Sequence, residues 1–175
     1  MTTDEALMLA CRKGSTEAFA QLFARYQAAV SRYFQRRVRE AGRAEELAQD
    51  TFVALLKSAA RYEVTASFRS FLFGIAFRVL SAERRRYRPH MDACRDPAFI
   101  RDVDAGIWVR RALDQLADDD REIVMLREFD ELRYEEIASV LGVPVNTVRS
   151  RLFRARTRLR ELLKPAKDAR TWCRS

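Results

Sequence analysis

One histidine and three cysteines leave this 175-residue chain little with which to build a metal centre. Cys11, Cys94 and Cys173 are far apart and odd in number, without the paired spacing of a zinc site, and His90 has no nearby cysteine or carboxylate pattern. The thiols read as reduced, which fits a cytoplasmic protein. No apolar run approaches the roughly 20 residues of a membrane span, and MTTDEALMLACRKG lacks the basic-then-apolar order of a secretory signal. Neither membrane insertion nor export is expected. There is also no glycine-rich phosphate loop, no nucleophile set beside a histidine, and no metal-ligand spacing. No catalytic residue, cofactor or metal is therefore assigned, and the chain reads as a non-enzyme. The run Asp118, Asp119, Asp120 opens a helix, where carboxylates favour the dipole, and reads as structural.

Glycine and proline are scarce as well, at five and four, and no stretch alternates convincingly enough to be a strand. What dominates is Ala, Leu, Arg and Glu, which lose little side-chain freedom in a helix. Hydrophobic residues make up 48% of the chain, enough apolar material for packed cores. Lys and Arg number 33 against 25 Asp and Glu, a formal charge of +8. Such an excess points to a polyanionic partner, most simply nucleic acid.

The periodicity predicts an all-α protein. Thr3 caps a first helix through about Arg12, which Gly14 ends, and Ser15 caps the next. That second helix carries Phe19, Phe23, Tyr26, Val30 and Phe34 on one stripe and is expected to run until Gly42. A third covers about 44–60, with Leu47, Phe52, Leu55 and Leu56 inward and Glu45, Glu46, Gln49 and Asp50 outward. A fourth, about 67–86, closes in Arg84, Arg85 and Arg86; Gly74 within it suggests close packing or a local bend. The next segment has Pro89, Pro97 and charges of both signs, and reads as a flexible linker. Four further helices follow: one patterned by Ile107, Val109, Leu113 and Leu116, one capped by Asp118, one over 134–141, and one from Val145 until Pro165 forbids continuation. The expected organisation is two small helical domains, 1–88 and 105–165, joined by a linker at 89–104 and followed by a tail at 166–175.

The last helix pair carries the sharpest signal. In YEEIASVLGVPVNTVRSRL, Ala138 allows a close helix approach, Gly142 sits where the turn needs a positive φ, and Val148 and Leu152 return to the core. That is the spacing of a helix-turn-helix, whose second helix enters the major groove. With Val148, Leu152, Ala155, Leu159 and Leu162 inward, Asn146, Thr147, Arg149, Ser150, Arg151 and Arg154 are left outward. Arg pairs bidentately with guanine and Asn with adenine, while hydroxyls and other arginines hold phosphates. Arg156, Arg158 and Arg160 lie further along, toward backbone or a partner.

DREIVMLREFDELRYEEIASVLGVPVNTVRSRLFRARTRLRELL closely resembles region 4 of the extracytoplasmic-function sigma factors of the sigma-70 family. AEELAQDTFVALLKS resembles region 2.2, and SFRSFLFGIAFRVLSAERRR resembles regions 2.3 to 2.4. The matches stand in the family's order and span nearly the whole chain. The resemblance implies a promoter-specificity subunit of RNA polymerase, with region 4 on the −35 element. It also implies that Glu46, Gln49 and Asp50 dock on the β′ clamp helices, with the β flap a further polymerase contact. An acidic patch suits a basic protein partner and repels DNA. Melting and capture of the −10 element would fall to Arg61, Tyr62, Phe68 and Arg69, with Arg78, Arg84 and Arg85 on duplex or backbone. The chain departs from the family's usual pattern at Phe71, Gly74, Phe77 and Arg78, where tryptophan, two basic residues and asparagine are common. An altered −10 preference is the implied consequence. Family members are usually held by an anti-sigma factor, so one is expected here. Two other readings stay open on sequence: a self-sufficient helix-turn-helix regulator whose first domain senses a ligand or dimerises, and a protein-interaction decoy.

Overall fold

The computed structural model describes residues 2–64, 66–87 and 105–164. The expected linker and tail, with His90, Cys94 and Cys173, lie outside them. The described residues form helices and connecting turns without a strand.

The first four helices are α1 (Asp4–Arg12), α2 (Thr16–Gln35), α3 (Ala41–Ser58) and α4 (Phe68–Tyr87), with a 3₁₀ turn at Ala59–Arg61. Thr3 Oγ1 accepts from the Ala6 N–H and Ser15 Oγ from the Ala18 N–H, both at 3.2 Å, so each hydroxyl satisfies a donor the helix leaves open. Helix α2 ends seven residues before Gly42, which instead lies in the first turn of α3. Apolar spacing alone could not locate that end, because Arg36 caps the helix and Arg37 turns inward, as described below.

Consecutive helices of this half pack against one another around Tyr33, Phe34, Leu22, Leu72 and Phe73, all essentially buried. Tyr33 meets Phe34 and Phe73 edge-on with centroids 5.1 and 5.7 Å apart, a favoured aromatic geometry. Arg43 joins α3 to α4 as a fork, with Nε 2.6 Å from Glu83 Oε1 and Nη2 2.7 Å from Oε2. That bond holds the Glu83 carboxyl below its ordinary range. Leu56, expected inward, is 47% exposed and joins the outer face of α3.

Gly74 lies inside α4, yet a Cβ there would meet no heavy atom within 4 Å. Close packing therefore does not explain it. Because glycine in a helix interior costs roughly 0.5–1 kcal/mol against alanine, Gly74→Ala is expected to raise the thermal midpoint by a few degrees in a calorimetric scan.

The second half comprises α5 (Ala105–Asp114), α6 (Asp118–Val124), α7 (Tyr134–Leu141) and α8 (Val145–Leu162). Asp118 is the first residue of α6, and the cap position belongs to Ala117, without a side-chain bond. Helix α6 passes into a π-helical turn at Met125–Phe129, closed by the Asp130 N–H on the Met125 carbonyl at 3.1 Å. Glu131 follows with φ +56°, an uncommon conformation for a residue with a side chain. Helix α8 packs on α5, α6 and α7, while α4 packs on α7 and brings the two halves together.

Candidate nucleic-acid interface

Helix α7, the turn 142–144 and α8 form the expected helix-turn-helix. Gly142 ends α7 in the left-handed region, φ +66° and ψ +35°, and its N–H bonds the Ala138 carbonyl. A side chain at that φ would be strained, which explains the glycine without any crowding. Pro144 then fixes the extended conformation that precedes α8. At the other end of α7, the Arg133 N–H donates to Glu136 Oε2 at 2.8 Å.

The inward edge of α8 is Val148, Leu152 and Ala155, each at most 1% exposed. That anchorage turns Asn146, Arg149, Ser150 and Arg154 to the surface, with Thr147 and Arg151 half-buried beside them. Arg149 Nη1 lies 3.5 Å from Asn146 Oδ1, and no described carboxylate pairs with Arg149 or Arg154. Other arginines of α8 are already engaged. Arg151 meets Asp119 at 2.7 Å, Arg156 meets Glu128 at 3.1 Å through Nε, and Arg158 meets Glu161 at 3.3 Å. Side-chain bonding to Glu128 raises the Arg156 guanidinium above its ordinary value.

Phe153 joins the outward face of α8 beside the residues that the spacing selects. It is 73% exposed on the outward face, next to Arg154 and one turn beyond Arg149. An apolar ring there costs solvation unless something covers it, and a thymine methyl is one suitable contact. The signal was present in the sequence, since Phe153 falls off the stripe of Val148, Leu152 and Ala155.

The residues assigned to −10 recognition divide. Arg61, Arg78, Arg84 and Arg85 are exposed. Tyr62 and Phe68, expected at the opened strand, are instead core residues: each is 1% exposed, edge-on to Phe71 at 4.9 Å and to Tyr26 at 5.3 Å respectively. Neither offers a face for a base to stack on. Arg69 is half-buried and donates through Nη2 to the Asp130 carbonyl of the second half at 2.5 Å.

Glu46, Gln49 and Asp50 lie exposed along α3, and the same helix surface continues through Val53 and Leu56, each 47% exposed. Phe23 of α2 adjoins it, packed on Phe52 at 4.7 Å between centroids. The outer face of α3 is therefore acidic at its start and apolar toward its end, a second feature that the helical spacing underestimated. Among the described residues no group of three or more His, Cys, Asp or Glu could hold a metal ion, and no helix is long and apolar enough to cross a membrane.

Family models give the two halves their relations. The sigma-70 region 2 model matches residues 22–89, and the sigma-70 region 4 model matches 107–159. RNA polymerase sigma factor CarQ of Myxococcus xanthus is 35% identical over 162 residues, covering 87% of this chain and 92% of CarQ. The ECF RNA polymerase sigma-E factor of Escherichia coli is 29% identical over 183 residues, covering 93% and 95%. The chain belongs to the extracytoplasmic-function (ECF) sigma factors of the sigma-70 family. Among solved structures, sigma factor RpoE in complex with the anti-sigma factor NepR from Bartonella quintana superposes with a TM-score of 0.69 at 27% identity, covering 85% of this sigma factor and 98% of RpoE. In this sigma factor, α2 to α4 thus carry region 2 and α5 to α8 carry region 4. The family is one of transcription initiation factors.

Proposed function

We propose that this ECF sigma factor places α8 in the major groove of the −35 element and presents the surface of α4 to the −10 element. The outer face of α3 would dock on the β′ clamp helices of core polymerase, and region 4 on the β flap. The observation that carries this reading is the basic outward face of α8, held by three buried anchors and a left-handed glycine turn. Arg149, Arg154, Asn146, Ser150 and Phe153 supply donors and an apolar contact for base edges, and Thr147 a hydroxyl for phosphate. In region 2, Arg61 and Arg69 hold the opened strand and Arg78, Arg84 and Arg85 the duplex or its backbone, while Tyr62 and Phe68 support that surface from beneath.

Glu46, Gln49 and Asp50 provide an acidic docking edge, and Val53 and Leu56 extend it with apolar area. Asp50→Arg reverses a charge at that edge, so its affinity for core polymerase is expected to fall about tenfold in a fluorescence titration, with helicity unchanged. An anti-sigma factor is a further proposed partner, supported by the RpoE complex. The protein would work beside polymerase in the cytoplasm. Run-off transcription tests the whole reading: core polymerase with this chain should initiate at a selected promoter, and core polymerase without it should not. Sequence-specific binding by the chain without polymerase, and no initiation with it, would favour a self-sufficient regulator instead.

A further inference from the structure

Helix α1 lies ahead of residues 22–89, the span of the region 2 model, yet it is built firmly into region 2. Leu7 and Met8 are 4% and 1% exposed, and the helix packs on α2, the 3₁₀ turn and α4. Asp4 fastens its first turn to α2. Its Oδ1 lies 2.6 Å from Arg25 Nη1, and its Oδ2 accepts from the Tyr26 hydroxyl at 2.5 Å.

Two other side chains of α1 reach the segment that joins the 3₁₀ turn to α4, one at each end. Arg12 Nη1 donates to the Tyr62 carbonyl at 3.4 Å. Glu5 Oε1 accepts at 2.9 Å from the N–H of Phe68, the first residue of α4. Glu5 and Arg12 stand about two helical turns apart, on one face of α1.

The start of α4 depends on that remote acceptor. A helix leaves its first N–H groups without an intrahelical partner. Ser67 Oγ, the local cap, takes the Ser70 N–H at 3.2 Å, and the Phe68 N–H is left for Glu5. A carboxylate there meets the positive end of the helix dipole, and its charge makes the bond roughly twice as strong as a neutral one. The Phe68 ring is held from the same side, since it stands edge-on to Tyr26, whose hydroxyl Asp4 holds. The neighbours of the fastened residues give this arrangement its use. Arg61 precedes Tyr62 and Arg69 follows Phe68, the two side chains proposed above to hold the opened strand.

We propose that α1 is a brace for strand capture. Glu5 and Arg12 are positioning residues that fix the two ends of the segment from Tyr62 to Phe68. They thereby set the spacing of Arg61 and Arg69 on the opened −10 strand. The inference rests on the −10 role proposed above, and it assigns no residue of α1 a contact with DNA.

The test uses holoenzyme reconstituted from core polymerase and the full chain. The probe is a fluorescent single-stranded oligonucleotide carrying the non-template −10 sequence of a selected promoter. Glu5→Ala leaves the Phe68 N–H without its acceptor and is expected to lower strand affinity about tenfold, as the fraction with both arginines in place falls to about a tenth. Glu5→Gln keeps an oxygen for the same N–H, so its affinity should return to within about threefold of wild type. Affinity for core polymerase should be the same for all three chains. If Glu5→Ala loses helicity by circular dichroism, Arg12→Ala takes its place, because that side chain is exposed, and should lower strand affinity about threefold. An unchanged strand affinity in a folded variant, a matching loss of core affinity, or no recovery with Glu5→Gln overturns the brace. Arg61→Ala separates that failure from a failure of the −10 reading. This exposed arginine should weaken strand binding when removed, and if it does not, the −10 role and the brace fall together.

Discussion

Replacing Arg149 by alanine is expected to lower promoter-dependent run-off transcription by about ten- to a hundredfold at limiting holoenzyme, the loss of one good base-edge contact. Arg149 is exposed on the outward face of α8, without a described carboxylate to neutralise it, and Asn146 steadies it at 3.5 Å. Its charge is therefore available to DNA at little cost in reorganisation. Arg158 is the matched control. It lies two and a half turns further on and is paired with Glu161 at 3.3 Å, so Arg158→Ala should change initiation by no more than about twofold. Binding of both variants to core polymerase should equal that of the wild type. Equal losses from the two substitutions would contradict the assignment of base reading to the start of the helix.

Phe34→Ala is expected to destabilise region 2 by about 3–5 kcal/mol, through lost transfer energy and the cavity left behind. The ring is fully buried on α2 and stands edge-on to Tyr33, which in turn meets Phe73 of α4. For a domain of this size the midpoint should fall by roughly 10 °C or more in a calorimetric scan. Phe23, 38% exposed on the same helix, provides the comparison: Phe23→Ala should cost about 1 kcal/mol, since much of its area is already wet. Phe23→Ala should then weaken core binding if α2 borders the docking face, a loss the stability change does not supply.

The parts of the fold governed by local rules could be read directly. Thr3 and Ser15 cap where their hydroxyls and the following acidic residues suggested, and α7 spans the expected 134–141. Gly142 has the positive φ that the turn required. The failures arise where a distant partner decides. The end of α2 depends on Arg37 turning toward Glu122 and Asp130, residues 85 and 93 positions away. Periodicity treats such an arginine as surface charge. The π turn and Glu131 leave no pattern in sequence either, because their geometry is set by what packs on them. Tyr62 and Phe68 show the opposite error. An aromatic beside an arginine suits single-stranded DNA, but it suits an edge-to-face core equally well, and burial settled the matter. Leu56 and Phe153 are apolar residues on wet faces, where hydrophobicity alone does not decide burial.

In the function proposed above, α8 reads promoter DNA on behalf of polymerase. Two modest contacts on one tether gain strength through effective concentration, so neither half of the chain needs tight binding of its own. Hydroxyl-radical footprinting of one promoter tests this directly, with the chain alone, core polymerase alone, and the two together at equal concentrations. Protection over the −35 and −10 elements is expected only when both are present. A sequence-specific footprint from the chain alone, unchanged on adding core polymerase, would contradict the account.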